Sequence, residues 1–202
     1  MDPVLVTERL VLRRITPADA DGLLALDGDP EVMRYLDRRI KTRSDIESST
    51  LPLLMKSHEG GPGFGYLAAD TRADGLFIGW FGLIAVTPDA GPMVRWRRAA
   101  DRTRTAEVGY RLRHSAWGRG YATEGTRALV RWAFTDGGQA DVVATTMAVN
   151  AGSRRVMEKA GLRHRRTVLV DFEDPLDGTE HGEVEYGVRR EDWARLGGDH
   201  AR

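Results

Sequence analysis

The stretch from Thr105 to Ala148 constrains the fold more than any other part of the chain. Thr105 to Leu112 reads as a strand, and Trp117-Gly118-Arg119-Gly120 follows as a glycine turn. Tyr121 to Phe134 then reads as a helix with Ala122, Leu129 and Ala133 near one face, and Asp141 to Ala148 is a β-branched strand. Ser153 to Ala160 reads as a short helix, and Gly161 stands where a C′ glycine belongs. Strand, helix, strand, helix in this order implies a mixed α/β sheet containing a parallel pair.

Other segments supply partners for that unit. Leu5 to Arg14 reads as one strand with Leu10 and Leu12 on one face, and Phe64 to Ala69 as another. Leu76 to Val86 is apolar on both faces, as a central strand is, and is too short to cross a bilayer as a helix. Arg166 to Phe172 and Glu183 to Val188 are expected to pair as a hairpin. Thr16-Pro17-Ala18-Asp19 starts a helix whose stripe is Leu23, Leu24 and Leu26, ended by Gly28 and Pro30. Ser44-Asp45-Ile46-Glu47 has capping-box spacing, and Pro52 is expected to kink or end the helix it opens. One domain over residues 1–202 follows from the length.

Composition narrows the function. Thirty Lys and Arg balance thirty Asp and Glu, which argues against a nucleic-acid or anionic-membrane binder. The absence of cysteine excludes a Cys nucleophile, a thiolate zinc site and an iron–sulfur cluster. The five histidines form no i, i+4 pair and no H-E-x-x-H, so no metal site is expected. Met1-Asp2-Pro3 lacks a basic n-region followed by an apolar run, which makes a cytoplasmic location the expectation.

The turn at Gly118 carries the chemical signal. Small residues at a strand-to-helix junction let backbone approach a ligand, and the free N–H groups of the helix start favour a phosphate. Such a turn alone is more often only a turn. There is no G-x-x-x-x-G-K-[ST], and Thr123 stands where a dinucleotide fingerprint needs its third glycine.

Four runs in order raise the specificity: Thr7-Glu8-Arg9-Leu10-Val11-Leu12-Arg13, Ala106-Glu107-Val108-Gly109-Tyr110, Trp117 to Glu124, and Asn150-Ala151-Gly152-Ser153 with Glu158 to Leu162. Together they resemble the GNAT superfamily of acyl-CoA-dependent N-acetyltransferases, and within it the branch of ribosomal-protein N-terminal (Rim-type) enzymes. Gly120 and Ala122 fit the small positions of the superfamily's Q/R-x-x-G-x-G/A pattern, whereas Trp117 replaces its leading Gln or Arg.

The resemblance implies a mixed, mostly antiparallel sheet, flanked by helices, whose central parallel strands splay apart. It implies acetyl-CoA as cosubstrate. The pantetheine arm would pair with the strand holding Val108, Tyr110 and Leu112. The pyrophosphate would sit on Arg119, Gly120, Tyr121, Ala122 and Thr123, with Trp117 and Gly118 of the same turn also among the coenzyme-binding residues. Asn150 would contact the acyl-CoA, and Ser153 would lie near its sulfur. It also suggests a homodimer.

Transfer to an amine needs a neutral nucleophile, and an α-amino group has a pKa of about 8 and a lysine about 10.4. Glu107 is the candidate base, through water, with an ordinary exposed strand residue as the plainer alternative. Backbone N–H at the splay would serve the thioester oxyanion. Relatives offer a tyrosine after Asn150 to protonate the leaving thiolate, but Met157 stands there. Ser153 is the substitute the Rim-type resemblance suggests, against a capping hydroxyl as the alternative, and Tyr110 and Tyr121 are further candidates. Direct transfer in a ternary complex is expected, to a protein N-terminus or a small amine. The rival is a non-catalytic acyl-CoA sensor or scaffold.

Three features remain secondary. The acidic run Asp171 to Glu180 would attract a cationic amine or simply form a solvated tip. The arginine-rich run Val94 to Arg104 would hold an acidic partner or the 3′-phosphate of CoA, or simply be a solvated loop. Trp80, Phe81, Trp132 and Phe134 read as core, and Trp193 as a cap on the sheet's end.

Overall fold

A computed structural model describes residues 2–56, 61, 63–88, 104–169 and 174–198, and the backbone of 96–98. The strands are β1 (Pro3–Val6), β2 (Leu10–Arg14), β3 (Gly65–Thr71), β4 (Phe77–Pro88), β5 (Trp96–Arg98), β6 (Thr105–Leu112), β7 (Asp141–Met147), β8 (Arg163–Val168) and β9 (Glu183–Arg189). The helices are α1 (Ala20–Asp27), α2 (Pro30–Met33), α3 (Arg43–Asp45), α4 (Leu51–Met55), α5 (Tyr121–Thr135), α6 (Ala151–Lys159) and α7 (Arg190–Arg195). One sheet runs in the order β1-β2-β3-β4-β6-β7-β9-β8, with β5 paired to the end of β4. Among the described residues every pairing is antiparallel except β6 with β7. The expected mixed sheet with one parallel pair is present.

That pair is short. β6 and β7 are in register only over Thr105–Asp141, Ala106–Val142 and Glu107–Val143. Both strands continue beyond, β6 still paired to β4 and β7 to β9. The sheet therefore opens between Val108–Leu112 and Ala144–Met147, and backbone groups facing that gap have no strand partner.

Helices cover both faces. Ala106, Val108 and Leu112 join Leu129, Val130, Ala133 and Phe134 of α5 and Met157 of α6 in the main core. Gly125 brings α5 onto β4: a Cβ there would stand 2.3 Å from the Phe81 ring. Phe81 and Phe134 are buried, Trp80 and Trp132 half-buried, and Trp193 packs 5.3 Å from Phe134. On the other face Leu23 of α1, Ile46, Leu51 and Leu54 pack on Ile15 and Ala68, with Tyr66 and Trp80 beside them.

Three local expectations are corrected. Leu5 to Arg14 is not one strand but a hairpin, because Thr7 turns the chain: its N–H donates to the Leu10 carbonyl at 2.9 Å and its hydroxyl accepts from Leu10 N–H at 3.0 Å. The second helix begins at Thr42, not Ser44, since Thr42 and Asp45 cap each other at 2.8 and 3.2 Å. Pro52 does not end that helix. Helical backbone continues through it to Met55, and the π-helical turn over Ile46–Thr50 immediately before it accommodates the residue that lacks an N–H. The C-terminal hairpin pairs Arg163–Val168 with Glu183–Arg189; Phe172 lies outside the described residues, as does most of the run 94–104.

Candidate active site

Alternation along β6 sends its residues to opposite faces of the sheet. Val108, Tyr110 and Leu112 face α5 and α6, whereas Glu107 and Arg111 face the α1 side. Glu107 is the last β6 residue in register with β7, so it stands where the two strands part. Its carboxylate accepts a 3.0 Å hydrogen bond from the Thr145 hydroxyl. Burial pushes the Glu107 carboxyl above the ordinary range, the Thr145 bond opposes this, and the charges of Glu183 and Glu185 add to it. Glu185 is itself paired with Arg166 at 2.7 Å.

On the opposite face Tyr110 and Ser153 meet. Their hydroxyl oxygens are 2.9 Å apart, and Tyr110 also donates to the Ser153 carbonyl at 3.1 Å. Burial pushes the Tyr110 phenol up to about 12, with the Ser153 bond pulling the other way. Ser153 is not the cap of α6. Asn150 is: its Oδ1 accepts from Ser153 N–H at 3.1 Å, and its Nδ2 donates to Thr146 at 3.2 Å. Asn150 thus sets the first turn of α6 that carries Ser153 to Tyr110. Met157 is buried in the core and brings no hydroxyl.

The glycine turn leads straight into α5. Gly118 and Gly120 both have positive φ, +72° and +83°, which fits only glycine comfortably. Gly120 is the N-cap of α5, and no side chain caps that helix. The first bond of the helix runs from Glu124 N–H to the Gly120 carbonyl at 3.0 Å, leaving the N–H groups of Tyr121, Ala122 and Thr123 ahead of it. α2, α3 and α6, by contrast, have side-chain caps. An uncapped helix start after two left-handed glycines suits an anion such as a diphosphate, and a Cβ on Gly118 would meet nothing within 4 Å. Trp117 is 45% exposed and holds the end of β6 by donating Nε1–H to the Leu112 carbonyl at 2.8 Å. Arg119 is exposed and Tyr121 packs partly on the core.

Two partners were not visible as such in the sequence. Thr145 reaches Glu107 only because β7 lies beside β6. Arg9, quoted above only as part of a run, reaches the glycine turn from the β1–β2 hairpin and donates to the Arg119 carbonyl at 2.8 Å. A groove of about 440 Å³ opens between Ala25 and Asp29 and the Arg113–Ser115 segment that follows β6. Among the described residues no cluster of His, Asp and Glu suits a metal ion, and no helix is long and apolar enough to cross a membrane.

Comparison with known proteins agrees with this geometry. The family described as Acetyltransferase (GNAT) domain matches residues 9–163. A protein of Aspergillus fumigatus named FsC-acetyl coenzyme A-N(2)-transacetylase is 36% identical over 194 residues, covering 96% of this chain and 79% of that protein. Among solved structures, a GNAT-family acetyltransferase from Bacillus anthracis superposes with a TM-score of 0.72 at 20% identity, covering 93% of this chain and 98% of that one. A spermidine N-acetyltransferase from Vibrio cholerae in complex with CoA and spermine does so at 0.70 and 14%, covering 93% and 99%. Family match and fold together lead to one conclusion: the chain belongs to the GNAT acetyltransferases and is an acetyl-CoA-dependent N-acyltransferase.

Proposed function

We propose that this enzyme transfers the acetyl group directly to the primary amine of a small molecule in a ternary complex, with Glu107 as base. The observation that carries the reading is the place of Glu107, a half-buried carboxylate at the point where β6 and β7 separate. Acetyl-CoA supplies an activated thioester. Tyr121, Ala122 and Thr123 would hold its diphosphate, and the edge of Val108 to Leu112 that faces the gap would hold its pantetheine arm. Leaving groups and nucleophile would then meet beside Glu107.

Magnitudes favour these roles. A carboxyl raised by burial is a stronger base than a free one, so it takes an ammonium proton through water more readily. A phenol near 12 is a weaker acid than a thiol at about 8.5. Tyr110, backed by Ser153, would therefore stabilise a departing thiolate by hydrogen bonding more than by surrendering its proton. Backbone N–H at the splay would meet the negative charge on the carbonyl oxygen.

A small amine is favoured by the N(2) specificity in the name of the 36%-identical relative. A protein N-terminal amine is the second reading, favoured by the four runs that resemble the Rim-type branch. A pure acyl-CoA sensor has no use for a half-buried carboxylate at the splay. A thiol-release assay with acetyl-CoA against small amines and peptides separates these. Turnover on small amines is expected. Turnover on peptides alone would move the reading to protein N-termini, and tight CoA binding without turnover on any acceptor would favour the sensor. Light scattering checks the homodimer suggested by the resemblance.

A further inference from the structure

Arg9 ties the β1–β2 hairpin to the start of α5. Its backbone N–H donates to Glu124 Oε1 at 2.7 Å, its Nε to Oε2 at 2.6 Å, and its Nη1 to the Arg119 carbonyl at 2.8 Å. Thr7 Oγ1 donates to Glu124 Oε1 at 2.6 Å. The guanidinium carbon lies 4.8 Å from the Tyr121 ring centroid, and Nη2 is 3.2 Å from where a Cβ on Gly120 would stand.

Two features of the turn make this arrangement consequential. Arg119 sits between two left-handed glycines, so its peptide groups are free to rotate unless something fixes them. The Nη1 bond selects one orientation of the Arg119 carbonyl. Glu124, in the first turn of α5, carries a negative charge into the same helix-end field that would attract a phosphate. The guanidinium neutralises it. Although burial pushes the Glu124 carboxyl up, bonds from Thr7 and Arg9 hold it below its ordinary value, so it is ionised and needs that counter-charge.

We infer that Arg9 is a positioning residue for the coenzyme's diphosphate: it fixes the turn's carbonyl and cancels the Glu124 charge, so the α5 amides face one anion without a rival. The inference rests on the reading that the diphosphate sits on residues 119–123. Its signature is a defect specific to the diphosphate.

The test compares CoA, by calorimetry, with pantetheine, by NMR titration, which shares the thiol arm but has no diphosphate. The proteins are wild type, Arg9→Ala, Arg9→Lys and the double variant Arg9→Ala/Glu124→Gln. Arg9→Ala is expected to weaken CoA about tenfold and to change pantetheine less than about twofold. The double variant is expected to bind CoA more tightly than Arg9→Ala, because the uncancelled charge is gone. Arg9→Lys keeps the charge without the fork and serves if the alanine variant fails to fold; about threefold weakening of CoA alone is expected. Equal weakening of both ligands, or none with CoA, overturns the inference. Wild type binding CoA no better than pantetheine would instead remove the diphosphate reading beneath it.

Discussion

At Glu107 burial and hydrogen bonding pull against each other, and burial wins. The consequences for rate and stability have opposite signs. The base form is lost as pH falls through a pKa above the ordinary carboxylate range, so the acid limb of kcat/KM should be displaced upward. Glu107→Gln should remove that limb and lower kcat about 10²–10⁴-fold while keeping CoA affinity. Unchanged turnover would strip Glu107 of its role. For stability, a raised folded-state pKa means that ionised Glu107 costs free energy above that pKa, and the cost fades as pH drops toward the unfolded value. Glu107→Gln should therefore melt above wild type near neutral pH, with the gap closing toward the unfolded carboxyl value of about 4.3. The residue type and strand were legible in the sequence. Its desolvation was not, because Thr145, Glu183 and Glu185 come from strands that only pairing brings alongside.

At the scale of elements, α5 begins without a side-chain cap, so its amides depend on water or a ligand. Gly120→Val should abolish CoA binding, both because a branched residue is strained at φ +83° and because its Cβ would crowd Arg9 Nη2 at 3.2 Å. Wild-type affinity in that variant, measured by calorimetry, would refute the placement. The limits of β6, α5 and β7 follow from their own residues, since Thr105, Tyr121 and Asp141 each open the element that periodicity assigns. The β1–β2 turn and the helix start at Thr42 depart from the sequence expectation for one reason. Each is decided by a side-chain bond, Thr7 to Leu10 and Thr42 to Asp45, that competes with an equally plausible neighbouring pattern.

At the scale of the whole molecule, the helical side over Glu107 is pinned to the sheet by a buried charge. Asp27 at the end of α1 is fully buried between Arg111 of β6 at 2.5 Å and Lys41 at 2.9 Å, and Arg111 lies 5.3 Å from the Trp80 ring centroid. Arg111→Ala would leave that carboxylate with one partner and should cost about 3–5 kcal/mol in urea unfolding. A wild-type midpoint would show that the pair contributes nothing. At the sheet's edge, β8 exposes Arg163, Arg165 and Arg166, a charge pattern that discourages edge-to-edge pairing. Local order, the glycine turn and the strand–helix–strand succession were determined by the sequence itself, because propensity, periodicity and turn chemistry act over a few residues. The Tyr110–Ser153 contact and the reach of Arg9 to Arg119 were decided only by the tertiary structure, because each joins groups whose separation along the chain carries no periodic signal.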